Sequence, residues 1–323
     1  MTAATFTVAV VDHRFENLDP ERVVLEPVGA RLLDLAGRPP DEVLAAAADV
    51  DGILLGARFR LDAGRLASLE RCRVVSRYGV GVDNVDVEAA RRLGIEVTYV
   101  PDYCVEEVSN HAVALLLALH RRLFQFDRLV RAGGWGSGGE RIDRLSGTVL
   151  GIAGYGRIGR ETGRKAMALG MSVVAADPFL DEDALRALGV RPATWERLLA
   201  ESDFVSLHAP LNSTTRTMLD AAGITLMKPG AALINVGRGG LVDEEALAAA
   251  LNSGHLSGAA IDVPAVEPPG PDAAILSAPN LIVTPHVAWL SAGARSELQT
   301  KAAEEVARVL TGERPRFSAT RPR

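Results

Sequence analysis

The sequence predicts an α/β protein of two doubly wound parallel-sheet domains, one inserted into the other. Three observations carry that expectation. Short apolar runs alternate with helix-like stretches along most of the chain, the rhythm of parallel strands joined by right-handed helical crossovers. Gly154, Gly156 and Gly159 stand in the order G-x-G-x-x-G between two such runs, Val149–Ala153 and Met171–Ala176, and Asp177 closes the second. The length of 323 residues exceeds what one core normally holds and predicts about two domains.

Taken in order, Phe6–Val11 reads as a strand, Arg31–Leu35 as another, Asp41–Ala48 as a helix and Gly52–Leu55 as a buried strand. A helix at Asp62–Glu70, a strand at Arg73–Ser76, a helix at Val87–Leu93 and a strand at Ile95–Tyr99 continue the alternation. The pattern then changes to one long helix, Glu106 to about Arg131, apolar on nearly every side in its middle and so expected to be buried between domains or in a dimer interface. A glycine-rich loop, Gly133–Gly139, interrupted by Trp135, leads into the glycine motif. Beyond Asp177 come helices at Glu182–Leu188 and Trp195–Glu201 and a strand at Phe204–Leu207. Strands at Ala231–Val236, Ala259–Val263 and Leu281–Val283 follow, with a helix at Asp243–Asn252 among them. The last helix, Ala292–Leu310, is long enough to return to the first domain. The expected division is residues 1–101 plus 290–323 for one domain and 102–289 for the other, and the Arg/Pro-rich tail from Thr311 is expected to fray.

Composition narrows the partners. A charged share of 24% and a net charge of −6 leave no basic patch for nucleic acid or an anionic membrane. The longest apolar run, Ala112–Leu119, is far short of the ~18 residues of a membrane span. The first residues lack the basic start and cleavage pattern of a secretory leader, so the cytoplasm is the expected location. Cys72 and Cys104 suit neither a disulfide framework nor a zinc site, and no metal is expected.

In the glycine motif the first glycine permits a tight turn out of the strand, the second lets backbone approach a pyrophosphate, and the third lets helix pack on sheet. Free helix N–H groups favour the anion. Asp177 accepts hydrogen bonds from a ribose 2′-OH and repels a 2′-phosphate, and Pro178 and Phe179 supply no cation, so the cofactor is expected to be NAD rather than NADP.

Ligands of parallel sheets bind beyond the carboxyl ends of the strands, where polar residues recur: His208 and Pro210 after Leu207, Gly237-Arg238-Gly239 after Val236, Asp262 and then Glu267 after Ile261, and His286 after Thr284. Arg238 is permanently charged and can grip a carboxylate with two hydrogen bonds. His286 can exchange a proton near neutral pH, and a carboxylate such as Glu267 would fix its tautomer. Asp262 either accepts from a nicotinamide carboxamide or caps a turn. His111, on the long helix, is read as a packing or capping residue. In the first domain Arg77 and the amides of a G-x-G loop at Val80 and Gly81 offer a second binding site for a substrate carboxylate, the other wall of a cleft.

On these residues the chain resembles the D-isomer-specific 2-hydroxyacid dehydrogenase family over nearly its whole length. RYGVGVDNVD looks like that family's substrate loop, GYGRIG with Asp177 like its NAD fingerprint, HAPL and NVGRGGLVD like its middle motifs, and TPHVAW like its catalytic histidine segment. The resemblance implies a Rossmann NAD domain inserted into a flavodoxin-like substrate domain, and catalytic Arg238, Glu267 and His286. It also implies NAD contacts at Arg157, Ile158, Asp177, Val236 and Asp262, with Val108 and Thr215 as further ones. Within the family PDYCVEEVSNH and HVAW look closest to the branch similar to the C-terminal-binding proteins. Ala288 and Trp289, and an end without an appended regulatory domain, weigh against phosphoglycerate dehydrogenase. Pro264, Ala265 and Asn110 depart from the family pattern. The expected activity is hydride transfer between NAD(H) and a D-2-hydroxy acid/2-keto acid pair in a homodimer, with domain closure excluding water. The rivals are an NAD(H)-sensing binding protein and phosphoglycerate dehydrogenase.

Overall fold

The computed structural model describes residues 5–139 and 142–321. The first stretch runs β1 (Phe6–Val11), α1 (Asp19–Leu25), β2 (Ala30–Asp34), α2 (Pro40–Ala47), β3 (Gly52–Leu55), α3 (Ala63–Ala67), β4 (Val74–Arg77), α4 (Val87–Arg92) and β5 (Glu96–Thr98). Helices α5 (Val105–His120) and α6 (Leu123–Arg131) lead to β6 (Val149–Ala153), α7 (Arg157–Ala168), β7 (Ser172–Ala176), α8 (Glu182–Ala187), β8 (Arg191–Pro192), α9 (Trp195–Glu201) and β9 (Phe204–Leu207). The remainder is α10 (Ala221–Leu226), β10 (Ala232–Asn235), α11 (Glu244–Ser253), β11 (Gly258–Ile261), β12 (Leu281–Val283) and α12 (Ala292–Leu310).

These elements form two compact units. One holds the residues up to Cys104 together with those from Ser291 onward, and the other spans Val105–Leu290. In the first, five parallel strands lie in the order β2-β1-β3-β4-β5, the flavodoxin-like order. Ala9, Val11, Ile53, Leu55, Val75 and Val97 pack on one face of the sheet with Leu66 and Ala90 of α3 and α4. Helices α1 and α12 pack against each other, and α12 lies on β3 and β4. In the second unit seven parallel strands run β12-β11-β10-β9-β6-β7-β8. The connections reverse between β6 and β9, the topological switch point at which a doubly wound sheet takes its ligand. Every residue of β3, β9, β10 and β11 is buried, as parallel strands covered on both faces must be.

Some elements differ from the sequence pattern for identifiable reasons. The expected long helix is two, because Arg122 adopts a left-handed conformation (φ 52°) between α5 and α6. Helix α5 carries the sheet contacts, whereas no residue of α6 is buried, so the break lets the second segment leave the sheet. Helix α1 was not anticipated, since it buries Glu21 with Leu25 and leaves Val23 75% exposed, the reverse of an amphipathic pattern. Strand β8 is a two-residue edge piece ending in proline, tolerated there because an edge strand can lack a donor. Up to Arg321 the tail does not fray: Ala319 N–H donates to the Val97 carbonyl (2.8 Å), Ser318 bridges to Thr98, and Glu96 accepts from Ser318, Thr320 (2.6 Å) and Arg321 (3.0 Å).

One buried polar cluster fixes the loop that follows β4. The Tyr78 hydroxyl donates to Glu21 Oε1 at 2.7 Å, and the Gln299 amide donates to both Glu21 oxygens at 3.1 and 3.0 Å. Glu21 is fully buried, and burial raises its carboxyl above the usual range while these donors work against the rise. The folded state therefore holds that proton to higher pH than the unfolded chain. Its contribution to stability is complete below the ordinary carboxylate range and is lost as pH climbs through the raised value. Tyr78→Phe removes a donor from the charged form, and it is expected to lower the unfolding free energy by about 1–3 kcal/mol at neutral pH and by less in acid. Equilibrium denaturation at about pH 4 and pH 8 measures both.

Candidate active site

The chain leaves β6 through Gly154, whose φ of +86° suits glycine. A Cβ there would lie 2.7 Å from the Ala209 amide, so a side chain would push apart the loops that follow β6 and β9. Gly156 caps α7, and a Cβ placed on it meets nothing within 4 Å. The cap residue makes no side-chain hydrogen bond to this 12-residue helix, and the positive end of the helix dipole lies at this turn. Arg157 is exposed at its first position and Ile158 half-buried at its second. Asp177, after β7, accepts from the Tyr155 amide (2.8 Å) and the Phe179 amide (3.0 Å), which ties the acid to the glycine turn. A helix N-terminus, an unobstructed glycine and a carboxylate at the end of the neighbouring strand fit the pyrophosphate and adenosine ribose of a dinucleotide.

The other strand ends add to the same edge. His208 Nε2 lies 2.8 Å from Ser206 Oγ, and burial pushes the imidazole down to about 4, so the ring is neutral at pH 7. Thr215 is held in the next turn by donating to the Pro210 carbonyl (2.5 Å). After β10, Val236 is buried and the Arg238 loop is braced from within: Asn235 accepts from the Gly237 amide (3.1 Å) and donates to the Arg238 carbonyl (3.0 Å). Arg238 is half-buried and donates from Nη1 to the Gly237 carbonyl (2.9 Å). Gly239 brings this loop against the next one, since a Cβ there would overlap the Pro264 carbonyl oxygen.

The segment after β12 brings His286 against Glu267 of the loop after β11. His286 Nδ1 is 2.8 Å from Glu267 Oε2. A carboxylate only accepts, so Nδ1 holds a proton and Nε2 is left to take or give the other. The His286 backbone is left-handed at φ 55°, which costs a non-glycine residue about 1–3 kcal/mol. Asp262, 1% exposed, holds it there. Its carbonyl accepts from the His286 amide (2.8 Å), Oδ1 accepts from Thr284 Oγ1 (2.6 Å) and the Val287 amide (2.9 Å), and Oδ2 accepts from the Ala288 amide (2.9 Å). Trp289 Nε1 donates to the His286 carbonyl (3.1 Å). Of the two roles the sequence left open for Asp262, turn capping is the one this geometry displays.

Arg238, Glu267, His286, His208, Asp177 and the fingerprint glycines therefore share the carboxyl edge of one sheet. Val108 is a buried residue of α5. Arg77, expected to present a cation, is buried with Nη1 donating to the Tyr78 carbonyl (2.6 Å), packed where a Cβ on Gly79 would stand. Beside it Val80 is exposed and Gly81 half-buried. Residue-by-residue reading missed Asn235, Thr284 and His111, although the first two lie at strand ends and the rule that found His286 reaches them. Among the described residues no three His, Cys, Asp or Glu side chains cluster as metal ligands.

The family model for the NAD-binding domain of D-isomer-specific 2-hydroxyacid dehydrogenases matches residues 113–288. D-3-phosphoglycerate dehydrogenase of Mycobacterium leprae is 36% identical over 84% of this chain, which covers 51% of that protein. The chain thus spans about half the length of the curated relatives it matches. Among solved structures, a Thermus thermophilus protein superposes with a TM-score of 0.87 at 33% identity, covering 97% of this chain and 99% of the other. D-lactate dehydrogenase of Aquifex aeolicus, solved with NAD and lactic acid, superposes at 0.88 and 26% identity, covering 98% and 100%.

The depressed His208 value gives a pH signature. The unfolded imidazole titrates near its ordinary 6.5 and the folded one at about 4, so this contribution is complete above 6.5 and is lost as pH falls through 4. Between those values the wild type is expected to lose up to about 2–3 kcal/mol more than His208→Asn, read from denaturant midpoints across the range.

Proposed function

Because the chain belongs to the D-isomer-specific 2-hydroxyacid dehydrogenases, we propose that it interconverts a D-2-hydroxy acid and its 2-keto acid with NAD as cofactor. The observation that carries this reading is the 2.8 Å contact between His286 Nδ1 and Glu267. The residues that would hold the cofactor are Gly156, Arg157 and Ile158 at the start of α7, Asp177 at the ribose, and the Val236–Gly237 turn. When bound, NAD supplies or accepts the hydride at C2 of the acid.

The side chains handle the rest. Arg238 fits the substrate carboxylate, which a guanidinium grips through two parallel hydrogen bonds. His286, with Nδ1 fixed against Glu267, gives the Nε2 proton to the alkoxide in reduction and removes it from the alcohol in oxidation. Glu267 keeps the ring in one tautomer and balances the imidazolium. The phosphoglycerate dehydrogenase similarity supports 3-phosphohydroxypyruvate as one acid to test, and the lactate dehydrogenase similarity supports pyruvate as another.

The protein is further proposed to be a cytoplasmic homodimer. Two free, buried cysteines support the location, since thiols persist in a reducing compartment. Among the described residues no helix is long and apolar enough to cross a membrane. Exposed Leu123, Phe124 and Val130 on α6, with exposed Trp135 beyond it, support the association.

With NADH and a panel of pyruvate, glyoxylate, hydroxypyruvate and 3-phosphohydroxypyruvate, turnover of at least one acid is expected, and His286→Ala should lower its kcat by about 10²–10⁴ while NADH still binds. Full turnover by that variant would overturn the assignment of His286. Tight NADH binding with no turnover on any acid would replace the enzyme by an NAD(H) sensor. Gel filtration with light scattering should give twice the chain mass, and Phe124→Glu should give the single chain.

A further inference from the structure

We infer that His111 is a positioning residue for His286, acting through Thr284 and Asp262. The inference rests on the dehydrogenase reading above. His111 Nε2 lies 3.1 Å from Thr284 Oγ1, and that hydroxyl lies 2.6 Å from Asp262 Oδ1. A threonine hydroxyl has one proton, and a carboxylate can only accept, so the Thr284 proton is committed to Asp262. The remaining Thr284 valence toward His111 is a lone pair, which makes Nε2 the donor and fixes the neutral His111 as the Nε2–H tautomer. A directed chain results, from His111 to Thr284 to Asp262, and Asp262 holds the amides of Val287 and Ala288 that directly follow His286.

The buried Asp262 has three hydrogen-bond donors on its oxygens, none of them charged. The side chain paired with it that can carry positive charge, among the described residues, is His111, whose Nε2 is 3.7 Å from Oδ1. His111 thus orients the hydroxyl that satisfies this carboxylate and balances its charge when protonated. The helix that carries it is itself anchored. Lys165 of α7 donates to Ser109 Oγ (2.6 Å), Asn110 Oδ1 (2.7 Å) and the Glu106 carbonyl (3.3 Å), so one turn of α5 holds the fingerprint helix with one side and the histidine segment with the next residue. Helix α5 fixes the acid–base loop relative to the cofactor helix.

The test compares His111→Phe, which keeps the ring volume and loses the donor, with His111→Gln, which restores an N–H. Expected for His111→Phe is a fall in kcat of about tenfold with the keto-acid KM and NADH Kd changed less than about twofold, since small misplacement of a reacting group acts on the chemical step. His111→Gln should recover most of it, and His111→Phe combined with Thr284→Val should be no worse than Thr284→Val alone, because the two act through one chain. A second readout needs no turnover: exchange protection of the Val287 and Ala288 amides should fall about tenfold in His111→Phe and persist in His111→Gln. If the wild type turns over no acid, the dehydrogenase reading fails and the exchange result still decides the His111 linkage. Equal defects in the Phe and Gln variants, additive effects of His111 and Thr284, or unchanged protection in His111→Phe would overturn it.

Discussion

The second unit depends on the solvation of one carboxylate. Asp262 lies at the end of an interior strand, 1% exposed, where an ionised group without partners is untenable. Its needs are met by a hydroxyl and two consecutive amides, all from the segment that follows the next strand. Satisfying the acid therefore folds the Thr284–Trp289 loop, and that loop holds His286 in a backbone conformation it would not adopt unaided. The strain at His286 and the satisfaction of the buried charge are two sides of one arrangement.

The same economy governs the neighbouring loops. Gly154 lets the turn after β6 touch the turn after β9, and Gly239 lets the Arg238 loop touch the segment leading to Glu267. Contacts this close leave no room for side chains, so polar groups approach one another through backbone, and Asn235 uses its amide both as donor and as acceptor. Cation, acid and imidazole are then presented from loops that rigid strand ends anchor.

Much of this was legible in the sequence. Parallel strands covered on both faces must be continuous apolar runs, and β3, β6 and β9 stand where such runs predict them. The glycine spacing, Asp177, Arg238, Glu267 and His286 were legible because chemistry confines them to strand ends. Helix α1 was hidden because its buried positions include an acid whose partners, Tyr78 and Gln299, are remote in sequence. The break at Arg122 was hidden because no glycine or asparagine marks the left-handed residue. The bond from Arg77 to the Tyr78 carbonyl was not legible, because only the folded loop brings the two together. His111 sits in an apolar helix, and its partner lies 173 residues away, beyond any local pattern.

The divided first unit has a consequence for the order in which the chain matures. Helix α12 lies on β3 and β4, and the residues around Ala319 pair with β5, so three of five strands stay partly uncovered until the stretch from Ala292 to Ala319 has been synthesised. The inserted unit lacks this dependence, since all seven of its strands lie between Val149 and Val283. On the ribosome the second unit can close while the first is still a sheet with a bare face and an open edge, the state most exposed to pairing with other chains. The hydrogen bonds at Val97 are the last stitch, and they convert that edge from a template for strangers into a finished seam.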